Sequence, residues 1–158
     1  MNSGPYNKNL KGFTLIELLV VIAIIVTLAV LVSVAIDPVR RFQESRNARR
    51  WSDVNSINTA IHTFILDNSG AMPSGMVANG NEYQLGTCSD DGASLCPGAA
   101  DACLDLGSEL DNYLKSMPID PLNGTASTTG YSVSLDSNMI TTVTACSAER
   151  ATTIQISQ

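Results

Sequence analysis

The sequence predicts an α+β fold: one long N-terminal α-helix packed on a head built around a small antiparallel β-sheet. Three observations in the 158 residues carry this expectation. Leu18–Ile36 is an uncharged apolar block. Trp51, Val54, Ile57, Ile61 and Phe64 or Ile65 then recur at spacings of three and four, the mark of an amphipathic helix. Tyr131–Leu135, Met139–Cys146 and Thr152–Ile156 are short runs rich in Thr, Val, Ile and Tyr, the mark of strands. The chain divides accordingly into a polar N-terminal segment (1–12), an apolar helix (13–36), an amphipathic stem helix (37–67) and a globular head (68–158).

The apolar block is 19 residues long, with only Thr27 and Ser33 as hydroxyls. As a helix it spans about 28 Å, close to the thickness of a hydrocarbon core. Its Val and Ile content disfavours helix in water, but in lipid the backbone must satisfy its own hydrogen bonds, so helix wins. A secretory signal peptide is the plainest alternative. The block is too long for that, Glu17 interrupts its start, and Asp37-Pro38 stands where a small-residue cleavage site should follow. A simple anchor leaves Glu17 unexplained. A charge at the mouth of a membrane helix costs about 2.5–3.5 kcal/mol on insertion scales, so Glu17 calls for a partner.

The helical pattern resumes after Pro38, which has no N–H for the carbonyl of Val34; a kink or a locally open turn is expected around Val34–Pro38. Asp67-Asn68-Ser69-Gly70 and then Pro73 read as the stop. A helix from Phe13 to Leu66 would run about 80 Å. Within it, Arg40, Arg41, Arg46, Arg49 and Arg50 form a basic run broken only by Glu44. They read equally as a solvated face, partly paired with Glu44 and Asp53, or as a seam against the acidic heads of neighbouring chains or against lipid phosphates. Trp51 and His62 read as packing or stem-surface residues.

In the head, residues 71–100 are rich in Gly, Ala, Ser and Asn and read as loop, with a short strand at Glu82–Leu85. Leu104, Leu106, Leu110, Tyr113 and Leu114 predict a short amphipathic helix over Asp101–Ser116, ended by Met117-Pro118-Ile119-Asp120-Pro121. Asp136-Ser137-Asn138 reads as a turn between two strands. Cys88, Cys96, Cys103 and Cys146 all follow the apolar block. Four cysteines in a translocated region predict two disulfides, with three possible connectivities. Cys88–Cys96 with Cys103–Cys146 is expected, because the second bond would tie the short helix to the sheet. A zinc site is the weaker alternative, since no CxxC pair occurs and the sole histidine, His62, is remote in sequence.

Net charge is −6, unevenly spread: from Leu66 onward there are eleven acids and two bases. That acidity argues against a nucleic-acid site in the head. No histidine lies there to activate a nucleophile and no phosphate-binding glycine loop occurs, so no enzyme is expected. Counting Lys8 and Lys11 against the five arginines beyond the block would place the N-terminus outside. Disulfide chemistry requires the opposite orientation, and the cysteines decide it.

Gly12-Phe13-Thr14-Leu15-Ile16-Glu17-Leu18-Leu19-Val20-Val21-Ile22-Ala23 resembles the class III signal of type IV pilins and type II secretion pseudopilins. The resemblance implies a pilin-like fold, and cleavage between Gly12 and Phe13 by a prepilin peptidase, followed by N-methylation of Phe13. Losing the leader with Lys8 and Lys11 takes the net charge to −8. It implies that Glu17 attracts the Phe13 amine of a neighbouring subunit, in a homo-oligomeric helical filament raised from the cytoplasmic membrane by an inner-membrane assembly platform. The chain would be a single-pass membrane protein with its head outside the cytoplasm, and after assembly part of a periplasmic or extracellular filament. The order of Asp67-Asn68-Ser69-Gly70, Pro73, Met117-Pro118-Ile119-Asp120-Pro121 and Tyr131 is similar to major pseudopilins and related pilins. Many pseudopilins bind calcium in an acidic loop near this point. The donors here are Asp120, Asp136 and Asn138, without the usual paired aspartates, whereas calcium takes 6–8 oxygens. No cofactor is therefore expected, calcium being the alternative, and the cysteines take over the stapling. The resemblance implies a structural subunit of a type IV pilus-like filament; a secretion pseudopilin and a DNA-uptake pilin are the alternatives.

Overall fold

A computed structural model describes residues 12–158. The expected leader, save Gly12, lies outside these residues, as do Lys8 and Lys11. The chain forms two compact units that meet between Arg40 and Arg41.

The first unit is dominated by α1 (Leu15–Ile36), an all-apolar helix apart from Glu17, Thr27 and Ser33, with no buried residue. The two hydroxyls bond back to carbonyls one turn earlier, Thr27 to Ile24 at 2.9 Å and Ser33 to Ala29 at 2.9 Å. Beyond Glu17 the helix surface is thus almost entirely hydrocarbon. It ends where Asp37 turns into the left-handed region (φ 45°, ψ 74°), and α2 (Pro38–Asp67) starts at the next residue.

In the second unit α2 carries the core face: Val54, Ile57, Ala60 and Ile61 are buried. It stops at Asp67, where Ser69 and Gly70 have positive φ and the Gly70 amide reaches back to the Ile65 carbonyl at 2.8 Å. That wrap satisfies a terminal carbonyl of the helix. The sheet comprises β1 (Glu82–Gln84), β2 (Tyr131–Leu135), β3 (Thr141–Ala145) and β4 (Gln155–Ser157), antiparallel throughout and in chain order. Val133 stands opposite both Tyr83 and Val143, and Val143 opposite Ile156. Alternation puts Tyr131, Val133, Val143 and Ala145 into one cluster with the α2 residues, joined by Leu85, Leu106, Leu110 and Ile154. A long N-terminal helix with a small antiparallel sheet is therefore the architecture, as the sequence predicts.

Three expectations need correction. Asp101–Ser116 forms no helix; it is a chain of turns in which the Gly107 amide bonds the Asp105 side chain and the Leu110 and Leu114 amides reach back to Leu106 and Leu110. Asp105, Gly107, Ser108, Asp111 and Asn112 favour such local bonding over helix, while the leucines reach the core from turns. Trp51 is exposed, and the buried stripe of α2 runs instead from Asn47 through the fully buried Arg50 to Val54. The disulfides are Cys88–Cys103 and Cys96–Cys146, not Cys88–Cys96 and Cys103–Cys146. The segment after β1 runs beside residues 103 and 104: Leu104 donates to Gln84, Gly86 to Leu104, and Cys103 to Cys88. That ladder sets Cys88 and Cys103 side by side and leaves Cys96, at the loop's middle, to reach Cys146 beyond β3.

Candidate functional site

At the start of α1, Thr14 is the N-cap in extended conformation (φ −81°, ψ 151°) and Glu17 is the third helical residue. The Glu17 amide donates to the Thr14 hydroxyl at 3.2 Å. In return Glu17 Oε2 accepts from both the Thr14 amide and its hydroxyl, each at 2.9 Å. This is a reciprocal capping box: it satisfies two of the amides that a helix N-terminus leaves open, and it places a negative charge at the positive end of the helix dipole. Glu17 Oε1 has no hydrogen bond among the described residues, so one face of the carboxylate stays open to a further donor. Phe13, one residue before the cap, is 88% exposed. Gly12 has open space where a Cβ would stand. An accessible peptide bond, an exposed residue and a half-satisfied carboxylate thus follow one another within six positions.

Residues 7–36 match the family model of the prokaryotic N-terminal methylation motif. The chain carries a class III prepilin signal. The signal supports a type IV pilin-like or pseudopilin subunit and suggests a structural role, and such a motif implies cleavage by prepilin peptidase and filament assembly. Neither the curated proteins nor the solved structures contain a match. Leu15–Asp67 holds the one stretch among the described residues long and apolar enough to cross a membrane, which is compatible with a membrane anchor.

Behind the prepilin signal, Pro38 occupies the first position of α2, where its missing N–H is least costly. The side chain of Asp37 accepts from the Arg40 amide at 3.3 Å, so the residue that ends α1 also caps α2.

The head holds a second constellation that the sequence reading missed. The buried Arg50 donates to Asp120 through Nε at 2.6 Å and Nη2 at 3.0 Å, and through Nη1 to Asn47 at 2.9 Å and Glu149 at 2.8 Å. Arg46 holds the same Glu149 carboxylate with two further bonds at 2.7 and 2.6 Å. Asn47 pairs with the Glu149 backbone, donating to its carbonyl at 2.9 Å and accepting from its amide at 3.0 Å. These hydrogen bonds, first those from Arg46 and then those from Arg50, outweigh burial and hold the Glu149 carboxyl down at about 2. Arg46 and Arg50 are therefore neither a solvated face nor a seam between chains. A signal was present: residue 50 lies four before Val54 and seven before Ile57, in register with the stripe, and a lone charge on a buried stripe requires a buried partner.

The three candidate calcium donors lie apart in role. Asp120 is buried against Arg50 and also accepts from the amides of Leu122 and Asn123. Gly130, at φ 80°, makes room for it, since a Cβ there would stand 2.8 Å from that of Asp120. Asp136 closes the β2–β3 turn by accepting from the amides of Asn138 and Ile140, each at 2.8 Å. Among the described residues no group of three or more His, Cys, Asp or Glu is placed to hold a metal.

Proposed function

We propose that this chain is the subunit of a type IV pilus-like filament, polymerising through its N-terminal helix after cleavage at Gly12-Phe13 and methylation of Phe13. The observation that supports it best is the half-satisfied carboxylate of Glu17 on a helix that buries nothing. Cleavage would create a cationic amine at Phe13, and the open oxygen of Glu17 on a neighbouring chain is an acceptor for it. At about 4 Å and an effective dielectric of 20 that pair attracts by about 4 kcal/mol, enough to offset the cost of the carboxylate in an apolar setting. It also sets axial register, which the interchangeable apolar residues around it do not. The surroundings of the head support extracytoplasmic placement, since both disulfides need an oxidising compartment. The engagement of Asp120 by Arg50 and the stapling by disulfides favour a pilus subunit over a calcium-stapled secretion pseudopilin.

The test is a pair of substitutions, read by imaging surface filaments and by mass spectrometry of the subunit's N-terminus. Glu17→Gln keeps an acceptor for the capping box but removes the charge; Glu17→Ala removes both. Both variants should insert and be processed to methylated Phe13, and both should lose most filaments. Wild-type filament yield from Glu17→Gln, or an intact Met1 in the mature protein, would sink the reading.

A further inference from the structure

Within the second unit, the first turns of α2 show an outward face that none of the described residues covers. Arg41, Ser45 and Ser52 recur on the side opposite the buried Asn47, Arg50 and Val54, with Arg49 and the 66%-exposed Phe42 along one border and the exposed Trp51 along the other. Two large aromatics, two cations and small serines between them have the composition of a protein interface, where Trp, Phe and Arg are enriched. The cations are held loosely. Arg41 is 73% exposed and lies 3.5 Å from Glu44, and Arg49 is 61% exposed and lies 3.7 Å from Asp53. Exposed pairs of that kind contribute little and are readily shared.

Elsewhere in the same unit, the loop from Cys88 to Cys103 carries the opposite charge. Asp90, Asp91 and Asp101 are exposed, and none forms an ion pair among the described residues. The loop is braced at three points: Cys88–Cys103 closes it, Cys96–Cys146 ties its middle beyond β3, and the Gly92 amide bonds the Asp101 carbonyl at 2.7 Å. A preorganised loop loses little entropy on docking.

We infer that the α2 face around Arg41 and Arg49 receives the acidic Cys88–Cys103 loop of a second copy of this chain. Within one chain the two surfaces do not pair, so their complementarity is available only between chains. They are different surfaces, so the contact is heterologous, and a heterologous contact that does not close into a ring propagates as a helix. The charge balance favours such a contact. The second unit has thirteen acids and six bases, and two of those bases are consumed inside the clamp around Glu149 and Asp120. Heads brought together without a cation between them repel. This inference rests on the filament reading above and names the contact between heads.

The test is charge exchange in the full-length chain in cells that assemble the wild type, with filament yield and N-terminal processing measured together. Arg41→Glu with Arg49→Glu, and separately Asp90→Lys, Asp91→Lys and Asp101→Lys, should each cut filament yield at least about tenfold, because like charges then face each other. Membrane insertion and methylation of Phe13 should not change. Combining both sets should restore yield to within about threefold of wild type, the residual reflecting imperfect geometry. If the combined variant is no better than either parent, or if the arginine reversals leave filaments normal, the contact does not exist. If only the arginine reversals matter and they lower membrane retention, the face serves lipid phosphates and the inference is overturned. A wild type without filaments would remove the filament reading and this contact with it; a wild type with filaments and no compensation removes the contact alone.

Discussion

With its guanidinium out of water and donating to Asp120, Asn47 and Glu149, Arg50 holds three separate parts of the second unit at one point. Removing one partner of such a buried pair leaves the other charged and dry. Arg50→Ala should therefore lower stability by about 3–5 kcal/mol. Arg49→Ala, one residue away but exposed, should cost less than about 1 kcal/mol. Thermal unfolding of the two variants in detergent checks this; equal effects would mean that burial does not set the difference. Glu149 gives the clamp its pH dependence. Its carboxyl is depressed to about 2, below the value of about 4.3 it takes in the unfolded chain. A depressed carboxyl contributes stability that is complete above the unfolded value and disappears as pH falls through the folded one. The unfolding midpoint should thus drop between about pH 4.5 and pH 2. Glu149→Gln should lower the midpoint at pH 7 and flatten that acid limb, whereas an unchanged limb would assign the acid sensitivity to other carboxylates.

Among the elements, the junction of α1 and α2 shows how one short motif sets a backbone. Asp is one of the few non-glycine residues that visits the left-handed region, at a cost of about 1–2 kcal/mol, and Asp37 recovers part of it by capping α2. Pro38 leaves the Val34 carbonyl without its usual donor. Pro38→Ala restores that donor, and amide exchange over residues 38–41 in micelles should slow; unchanged exchange would mean that Asp37 alone sets the break. Proline acts locally, which is why Pro38 stands out from the sequence alone. β2 was legible for the same kind of reason: Tyr131, Val133 and Leu135 stand two apart and all three are buried in the sheet, although Ser132 between them is buried as well. What the sequence hid depends on contacts far apart in the chain. Leu104, Leu106, Leu110 and Leu114 have helical spacing, yet the polar residues between them fold into turns and the leucines meet the core without a helix. The disulfides follow from the Gln84–Leu104 and Cys88–Cys103 backbone bonds, which no spacing of four cysteines encodes. Glu17 was legible as a carboxylate needing a partner, but its partner within the chain, the Thr14 cap, depends on the helix starting at Leu15, two residues later than the expected Phe13.

For the whole molecule, the division of labour between the units is sharp. Every residue of the hydrophobic core lies beyond Arg41, from Val54 to Ile154, together with both disulfides and the clamp. The first unit buries nothing in α1, and Pro38, Val39 and Arg40 are exposed. Cutting the chain at Arg41 therefore uncovers no core. Fragment 41–158 should fold alone, with a thermal midpoint within about 4 °C of the full chain in detergent, a shift that corresponds to about 1 kcal/mol or less. It should also be monomeric at micromolar concentration. Its charge of −7 opposes association, and a contact made by two or three exposed ion pairs is too weak to overcome that alone. In a filament the inferred contact would act between chains already held by their helices, where high effective concentration makes a weak interaction count. Sedimentation of the fragment decides the matter. A stable oligomer from fragment 41–158 would place assembly in the head and reduce α1 to an anchor; a monomer that folds like the parent leaves polymerisation to Phe13, Glu17 and the hydrocarbon surface behind them.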